Sequence, residues 1–186
     1  ISGGRLYFRL QESNTFALGL WFYNGTNAPQ QVVPANGSPA FQSPGFLYDF
    51  NGRLVFAASS PTNFRRHLWS YDGVNPPQPI GDTGGVAGSD SRNFAVADGM
   101  LYYSANDANF DRRLWKWDGT GSPIQVSSDL ELDFNASILA QGDEIFLTAF
   151  TPETGREIWR YTGEGEPTLY ADLLPGPDSS LPLQLS

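Results

Sequence analysis

The chain has 186 residues, 40% of them hydrophobic and 14% aromatic, enough apolar mass to bury a sizeable core. A net charge of −9 with a single lysine, Lys116, argues against nucleic acid and anionic membrane surfaces, both of which need basic patches. No apolar run approaches the roughly 20 residues of a membrane-spanning helix, and the absence of cysteine removes disulfide and thiolate chemistry.

Glycine and proline punctuate the whole length, so few helices are expected. The first element is the alternating apolar segment Arg5-Leu6-Tyr7-Phe8, followed by Leu20-Trp21-Phe22-Tyr23-Asn24-Gly25-Thr26 and then Gln31-Val32-Val33. A polar crossover over 34–44 leads to Phe46-Leu47-Tyr48-Asp49-Phe50, which runs into Asn51-Gly52. The same order then returns. Arg53-Leu54-Val55-Phe56, Leu68-Trp69-Ser70-Tyr71-Asp72-Gly73 and Gln78-Pro79-Ile80 precede a crossover over 82–92, and Phe94-Ala95-Val96-Ala97 runs into Asp98-Gly99. A third pass gives Met100-Leu101-Tyr102-Tyr103, Leu114-Trp115-Lys116-Trp117-Asp118-Gly119-Thr120, Ile124-Gln125-Val126, a crossover over 127–135, and Ile138-Leu139-Ala140-Gln141 before Gly142-Asp143. The fourth gives Glu144-Ile145-Phe146-Leu147, Ile158-Trp159-Arg160-Tyr161-Thr162-Gly163, Thr168-Leu169-Tyr170 and a crossover over 175–180.

These segments are short and rich in aromatic and β-branched residues, as strands are. Asn-Gly and Asp-Gly supply the positive φ angles of a two-residue hairpin, so each fourth strand folds back onto the next. The Trp positions are 48, 46 and 44 residues apart, a period that suits a propeller blade. The expected fold is all-β: a four-bladed β-propeller of four-stranded antiparallel blades, or a four-blade segment of a larger propeller. Blades fall at about 1–45, 46–93, 94–137 and 138–180 of a single repeat domain. Residues 181–186 complete the first blade, because Pro182–Ser186 joined to Ile1–Gly4 matches Pro44–Gly52 in length. This phase predicts a strand over Leu183–Ser186 beside Arg5–Leu10, and closure would remove exposed sheet edges. The start at Ile1, without Met, is expected of a mature or trimmed piece.

The repeats resemble the bacterial family named for its Glu-Leu-Trp-x-x-Asp-Gly-Thr motif, found in secreted and cell-surface proteins. The resemblance covers essentially the whole chain. It is carried by Gly155-Arg156-Glu157-Ile158-Trp159, by Leu114–Thr120, and by the crossover Asp172-Leu173-Leu174-Pro175-Gly176-Pro177-Asp178-Ser179-Ser180-Leu181-Pro182. The leading Glu is kept only as Glu157, its counterparts being Gly19, His67 and Arg113. The resemblance implies a propeller-like fold and an extracellular or cell-surface setting, with no defined activity.

The four phase-matched Trp residues read as packing between blades in preference to sugar-stacking platforms. Trp117, where other repeats have Tyr23, Tyr71 and Tyr161, has an extra indole to offer a ligand, although packing between blades is the preferred reading here too. Arg66, Arg112 and Arg156 each stand three residues before a Trp. Such an Arg can clamp a carboxylate or a hydroxyl-rich ligand, or pair with a crossover acid such as Asp90, Asp133 or Asp178. Asn63-Phe64-Arg65-Arg66 resembles Asn109-Phe110-Asp111-Arg112, whereas the first repeat offers Thr15, Phe16 and Leu18 and the fourth Glu153, Thr154 and Arg156. Asn63, Phe64, Arg66, Asn109, Phe110, Arg112, Trp117 and Arg156 are therefore the candidate ligand residues, for a glycan or other surface ligand. Asp107, Asn109 and Asp111 alternate like the start of a calcium loop, but the glycine expected next is Arg112, so a solvated turn is the preferred reading and no cofactor is expected.

Catalysis finds no support. His67 is the only histidine, and there is no nucleophile elbow, phosphate loop or zinc spacing. A non-enzymatic binding or adhesion module, lectin-like in one form, is the leading expectation. The alternative is a structural unit of a surface protein or fibre that contacts neighbouring copies.

Overall fold

The computed structural model describes residues 1–11, 18–33, 41–81, 88–182 and 184–185. Fifteen strands and no helix are found among them. They form four antiparallel sheets, one of three strands and three of four. The first is β1 (Leu6–Gln11), β2 (Leu18–Tyr23) and β3 (Gln30–Gln31). The second is β4 (Gln42–Phe50), β5 (Arg53–Ser59), β6 (Arg66–Tyr71) and β7 (Gln78–Pro79). The third is β8 (Arg92–Ala97), β9 (Met100–Asn106), β10 (Arg112–Trp117) and β11 (Ile124–Gln125). The fourth is β12 (Ile138–Gln141), β13 (Glu144–Thr151), β14 (Gly155–Tyr161) and β15 (Thr168–Ala171).

Strand order follows chain order in every sheet, so each sheet is a simple meander. The hairpins turn where the sequence supplies left-handed backbone: Asn51 and Gly52 have φ of 52° and 76°, and Asp98 and Gly99 have 46° and 69°. Register places each Trp opposite an apolar residue of the preceding strand, pairing Phe8 with Trp21, Phe56 with Trp69, Tyr103 with Trp115 and Leu147 with Trp159. The stretch 129–133 is no ladder strand. It makes a single bridge, Glu131 to Phe150, with Leu130 and Leu132 buried and Asp129, Glu131 and Asp133 outward.

Contacts gather the chain into two compact units, one built on Ile1–Asp82 with Gly88–Asp90 and the other on Ser91–Ser186. The first unit holds the first two sheets. Its core joins Leu20 and Val32 to Phe41, Leu54, Phe56, Trp69 and Tyr71. The second holds the last two sheets, and its core joins Tyr102, Leu114 and Val126 to Leu130, Leu132, Ile145, Leu147 and Tyr161.

The expected strand over Leu183–Ser186 is not formed by its described residues, which are Gln184 and Leu185. The Leu185 amide donates to Ser137 Oγ at 3.0 Å in place of a ladder bond. The first sheet accordingly has three strands. Its inner hairpin turn is nonetheless made: Ser2 and Arg5 exchange both backbone hydrogen bonds, at 3.0 and 2.9 Å, across Gly3 and Gly4.

Trp69 and Trp115 are buried, and their indole N–H groups donate to the carbonyls of Ala58 and Ala105 at 3.2 and 3.1 Å. Replacing either by Ala empties an aromatic site inside a packed sheet. A loss of about 3–5 kcal/mol is expected in denaturant titration of Trp69→Ala and of Trp115→Ala. A loss below about 1 kcal/mol would mean the rings contribute little packing.

Candidate functional site

The β5–β6 and β9–β10 loops carry the Asn-Phe pairs, and both end in a phenylalanine with left-handed backbone. Phe64 has φ of 56° and Phe110 of 70°. Local hydrogen bonds fix both tips. Asn63 Oδ1 accepts from the Arg65 amide at 3.0 Å, and Phe64 N–H donates to the Ser60 carbonyl at 2.9 Å. In the third repeat Asp107 Oδ1 accepts from the amides of Asn109 and Asp111, at 2.8 and 3.1 Å. Each ring stands out from its unit, Phe64 73% exposed and Phe110 63% exposed. A bulky residue in this backbone region costs free energy, on the order of 1 kcal/mol, and persists only where its surroundings impose it.

The three arginines do not stand beside these rings as free donors. Arg66 donates to the carbonyls of Ser43 and Ala57, both at 3.2 Å, and lies 3.6 Å from Asp90. Arg156 meets the Asp133 carboxylate at 2.5 Å. Arg112 is buried. It donates to Ser104 Oγ at 3.2 Å and lies 5.6 Å from the centre of the Phe134 ring. The candidate ligand role of Arg112 is thus corrected: the side chain is buried, with its guanidinium on Ser104 of β9 and near the Phe134 ring of the crossover. Trp117 is corrected likewise. It is only 4% exposed, its indole donates to the Gly121 carbonyl at 3.2 Å, and it offers no surface to a ligand. Thr15 and Phe16 lie outside the described residues, while Leu18 opens β2.

Sequence reasoning missed Phe134. Arg92, itself buried, stacks its guanidinium 3.4 Å from the ring centre, and Asn93 Nδ2 donates to the Phe134 carbonyl at 3.4 Å. The outer face of the ring remains exposed. The single aromatic of the crossover over 127–135, set between Asp133 and Asn135, was the available signal.

The acids of the calcium-like alternation are engaged elsewhere. Arg113 lies 2.9 Å from the Asp111 carboxylate and 3.6 Å from that of Asp107, and it also donates to the Leu130 carbonyl at 3.1 Å. Among the described residues no group of three or more ligating side chains gathers. His67 lines a mostly apolar cleft of about 320 Å3 with Ser60, Trp69, Pro79, Ile80 and Gly81.

Glu157 is fully buried and takes the amides of Leu173 and Ser180, both at 3.0 Å, and the Ser180 hydroxyl at 2.7 Å. Burial alone would push its pKa up, but these donors outweigh burial and hold it below the ordinary 4.5. Beside it, Gly155 at φ 65° lies so close to the crossover that a Cβ would meet the Asp178 carbonyl at 2.3 Å, so no other residue fits.

No protein-family model matches the chain, and no curated protein matches it in sequence. Solved structures do. An acylaminoacyl peptidase from Pyrococcus horikoshii superposes with a TM-score of 0.58 at 10% identity, over 91% of this chain and 26% of that one. The β-propeller domain of the Trilobed protease from Pyrococcus furiosus, described as having an open velcro topology, gives 0.55 at 13% identity, over 92% and 52%. The chain therefore spans about a quarter and about half of these proteins. Likeness at such identity speaks for the fold alone: meander sheets of the β-propeller kind.

A buried carboxylate with a lowered pKa gives stability that is complete above the ordinary value and is lost as pH falls through the folded one. Glu157→Gln keeps the shape but weakens the charge-assisted bonds, so it should cost about 1–3 kcal/mol at neutral pH. Melting curves of both proteins against pH should converge below 4.5 as the wild-type carboxylate protonates. A gap that stays constant down to that range would show that the charge on Glu157 does not hold the crossover.

Proposed function

We propose that the four sheets are consecutive blades of a β-propeller of the Glu-Leu-Trp-x-x-Asp-Gly-Thr repeat type. On this reading the chain is a non-enzymatic binding or adhesion module of an extracellular or cell-surface protein, and Phe64 and Phe110 are its contact points. The observation that carries the binding reading is the pair of exposed rings, held in left-handed backbone at corresponding loop tips. Packing asks for no aromatic there, whereas a rigid, protruding ring suits stacking on a sugar face or seating in a surface pocket. Asn63 and Asn109 supply polar groups beside each ring.

The strand that completes the first blade is, on the same reading, the segment 181–186. Leu181 has φ of 53°, in phase with Ser43 at 49° and Asp90 at 43°, which stand at the same distance ahead of their hairpin turns. The turn that this strand would enter is already formed between Ser2 and Arg5.

The second reading, a structural unit of a surface protein or fibre, is favoured by the arginines, since Arg66, Arg112 and Arg156 all bond inside their own units. A glycan array run with and without chelator separates the two. The binding reading expects a signal on the wild-type chain that Phe64→Ala and Phe110→Ala each reduce at least tenfold. Their melting temperatures should stay within a few degrees, because exposed substitutions are near neutral. A chain that retains no glycan, or variants that bind like wild type, would give the structural reading the lead.

A further inference from the structure

Each unit contains one joint between sheets, and the two joints have the same composition. In the first unit Tyr7 meets Tyr71 edge-on with ring centres 6.0 Å apart, and the Arg5 guanidinium donates to the Gly73 carbonyl. In the second Tyr102 meets Tyr161 edge-on at 5.9 Å, and Lys116 Nζ donates to the Tyr161 hydroxyl and the Gly163 carbonyl, both at 2.9 Å. One side of the joint is an aromatic ring with a cation beside it. The other is the Tyr-x-Gly that ends the Trp strand.

Two sheet faces carry half of such a joint with no counterpart in their own unit among the described residues. The first sheet presents Tyr23 and Gly25. Tyr23 is 38% exposed, against 9% for Tyr71 and 2% for Tyr161, and Leu6 and Leu10 on the same face are exposed where Leu54 and Ala58 are buried. The last sheet presents the opposite half. Phe146 pairs across strands with Arg160 as Tyr102 pairs with Lys116, and the largely exposed Tyr170 packs on Phe146 at 4.9 Å. Among the described residues Arg160 is bonded to Glu144 alone, through Nε at 2.9 Å and through a second nitrogen, and its side chain is 40% exposed.

We propose that the Phe146–Arg160 face of the last sheet binds the Tyr23–Gly25 face of the first sheet in a second copy of this chain. Phe146 takes the edge of Tyr23, and Arg160 donates to the carbonyl of Gly25. The inference rests on reading the sheets as consecutive blades. It extends a joint that the chain already makes twice, and it matches a cation to a carbonyl and ring that lack one. Because one chain carries both halves, the contact is heterologous, running head to tail.

Sedimentation velocity tests this on the full chain between about 1 and about 100 µM, where an interface of micromolar strength shows itself. The wild type should associate as concentration rises. Arg160→Glu and Tyr23→Ala, and Tyr170→Lys as a second lesion on the Arg160 face, should each weaken association at least tenfold. A mixture of the Arg160→Glu and Tyr23→Ala chains retains one intact pair of faces and should recover a heterodimer. A wild type that stays monomeric overturns the second copy. In that case variants that melt lower would keep the joint, and the blade reading with it, inside one chain. Variants with unchanged melting would overturn the blade reading as well.

Discussion

A sheet that is apolar on both faces must be covered on both faces, and this constraint governs the whole chain. The Trp strand places Trp and a second aromatic (Tyr23, Tyr71, Trp117 or Tyr161) on one face and leaves Leu20, Ser70, Leu114 or Arg160 on the other. Within each unit the answer is the same: the second face of the earlier sheet lies on the Trp face of the later one. Phe22 and Tyr7 cover Tyr71 and Trp69 in the first unit, and Tyr102 and Leu114 cover Tyr161 and Leu147 in the second. Burial pushes the Tyr102 phenol up to about 12, with the neighbouring Tyr161 and Asp98 adding to the effect, as a dry joint requires.

Two of the crossovers are tied down by the residue that stands two places before the Trp. Glu157 accepts the amides of its crossover, while Arg113 at the corresponding position donates to the Leu130 carbonyl. An acid and a base do the same work by exchanging donor and acceptor roles with the backbone. The three in-phase arginines add further ties, to Asp90, Ser104 and Asp133. Phe64 in the first unit, and Phe110 and Phe134 in the second, keep exposed ring surface.

Strands, hairpins and their order were legible because each depends on local chemistry. Asn51-Gly52 and Asp98-Gly99 turn the chain wherever they occur, and alternation fixes which residues share a face. The acids at 90 and 133 were legible as partners for in-phase arginines, although which arginine takes which acid depends on how each crossover runs. Trp117 is buried, as its packing reading expected, and Gly121, four residues on, supplies the acceptor for its indole. The stack of Arg92 on Phe134 joins positions 42 apart, one from a strand and one from a crossover, and no spacing in the chain announces it. The strand expected over Leu183–Ser186 was drawn from phase alone, and phase is blind to the Ser137 hydroxyl that holds the Leu185 amide.

The joint itself can be measured at its most polar point, where Lys116 Nζ reaches the Tyr161 hydroxyl and both reach the Gly163 carbonyl. A double-mutant cycle of Lys116→Met and Tyr161→Phe, read by denaturant titration, isolates the coupling between them. The account expects a coupling on the order of 1 kcal/mol, because the hydroxyl and the ammonium share an acceptor inside a largely dry contact. A coupling below about 0.3 kcal/mol would mean that the two groups act independently, and that the sheets are held together by apolar area without the cation–tyrosine–glycine contact.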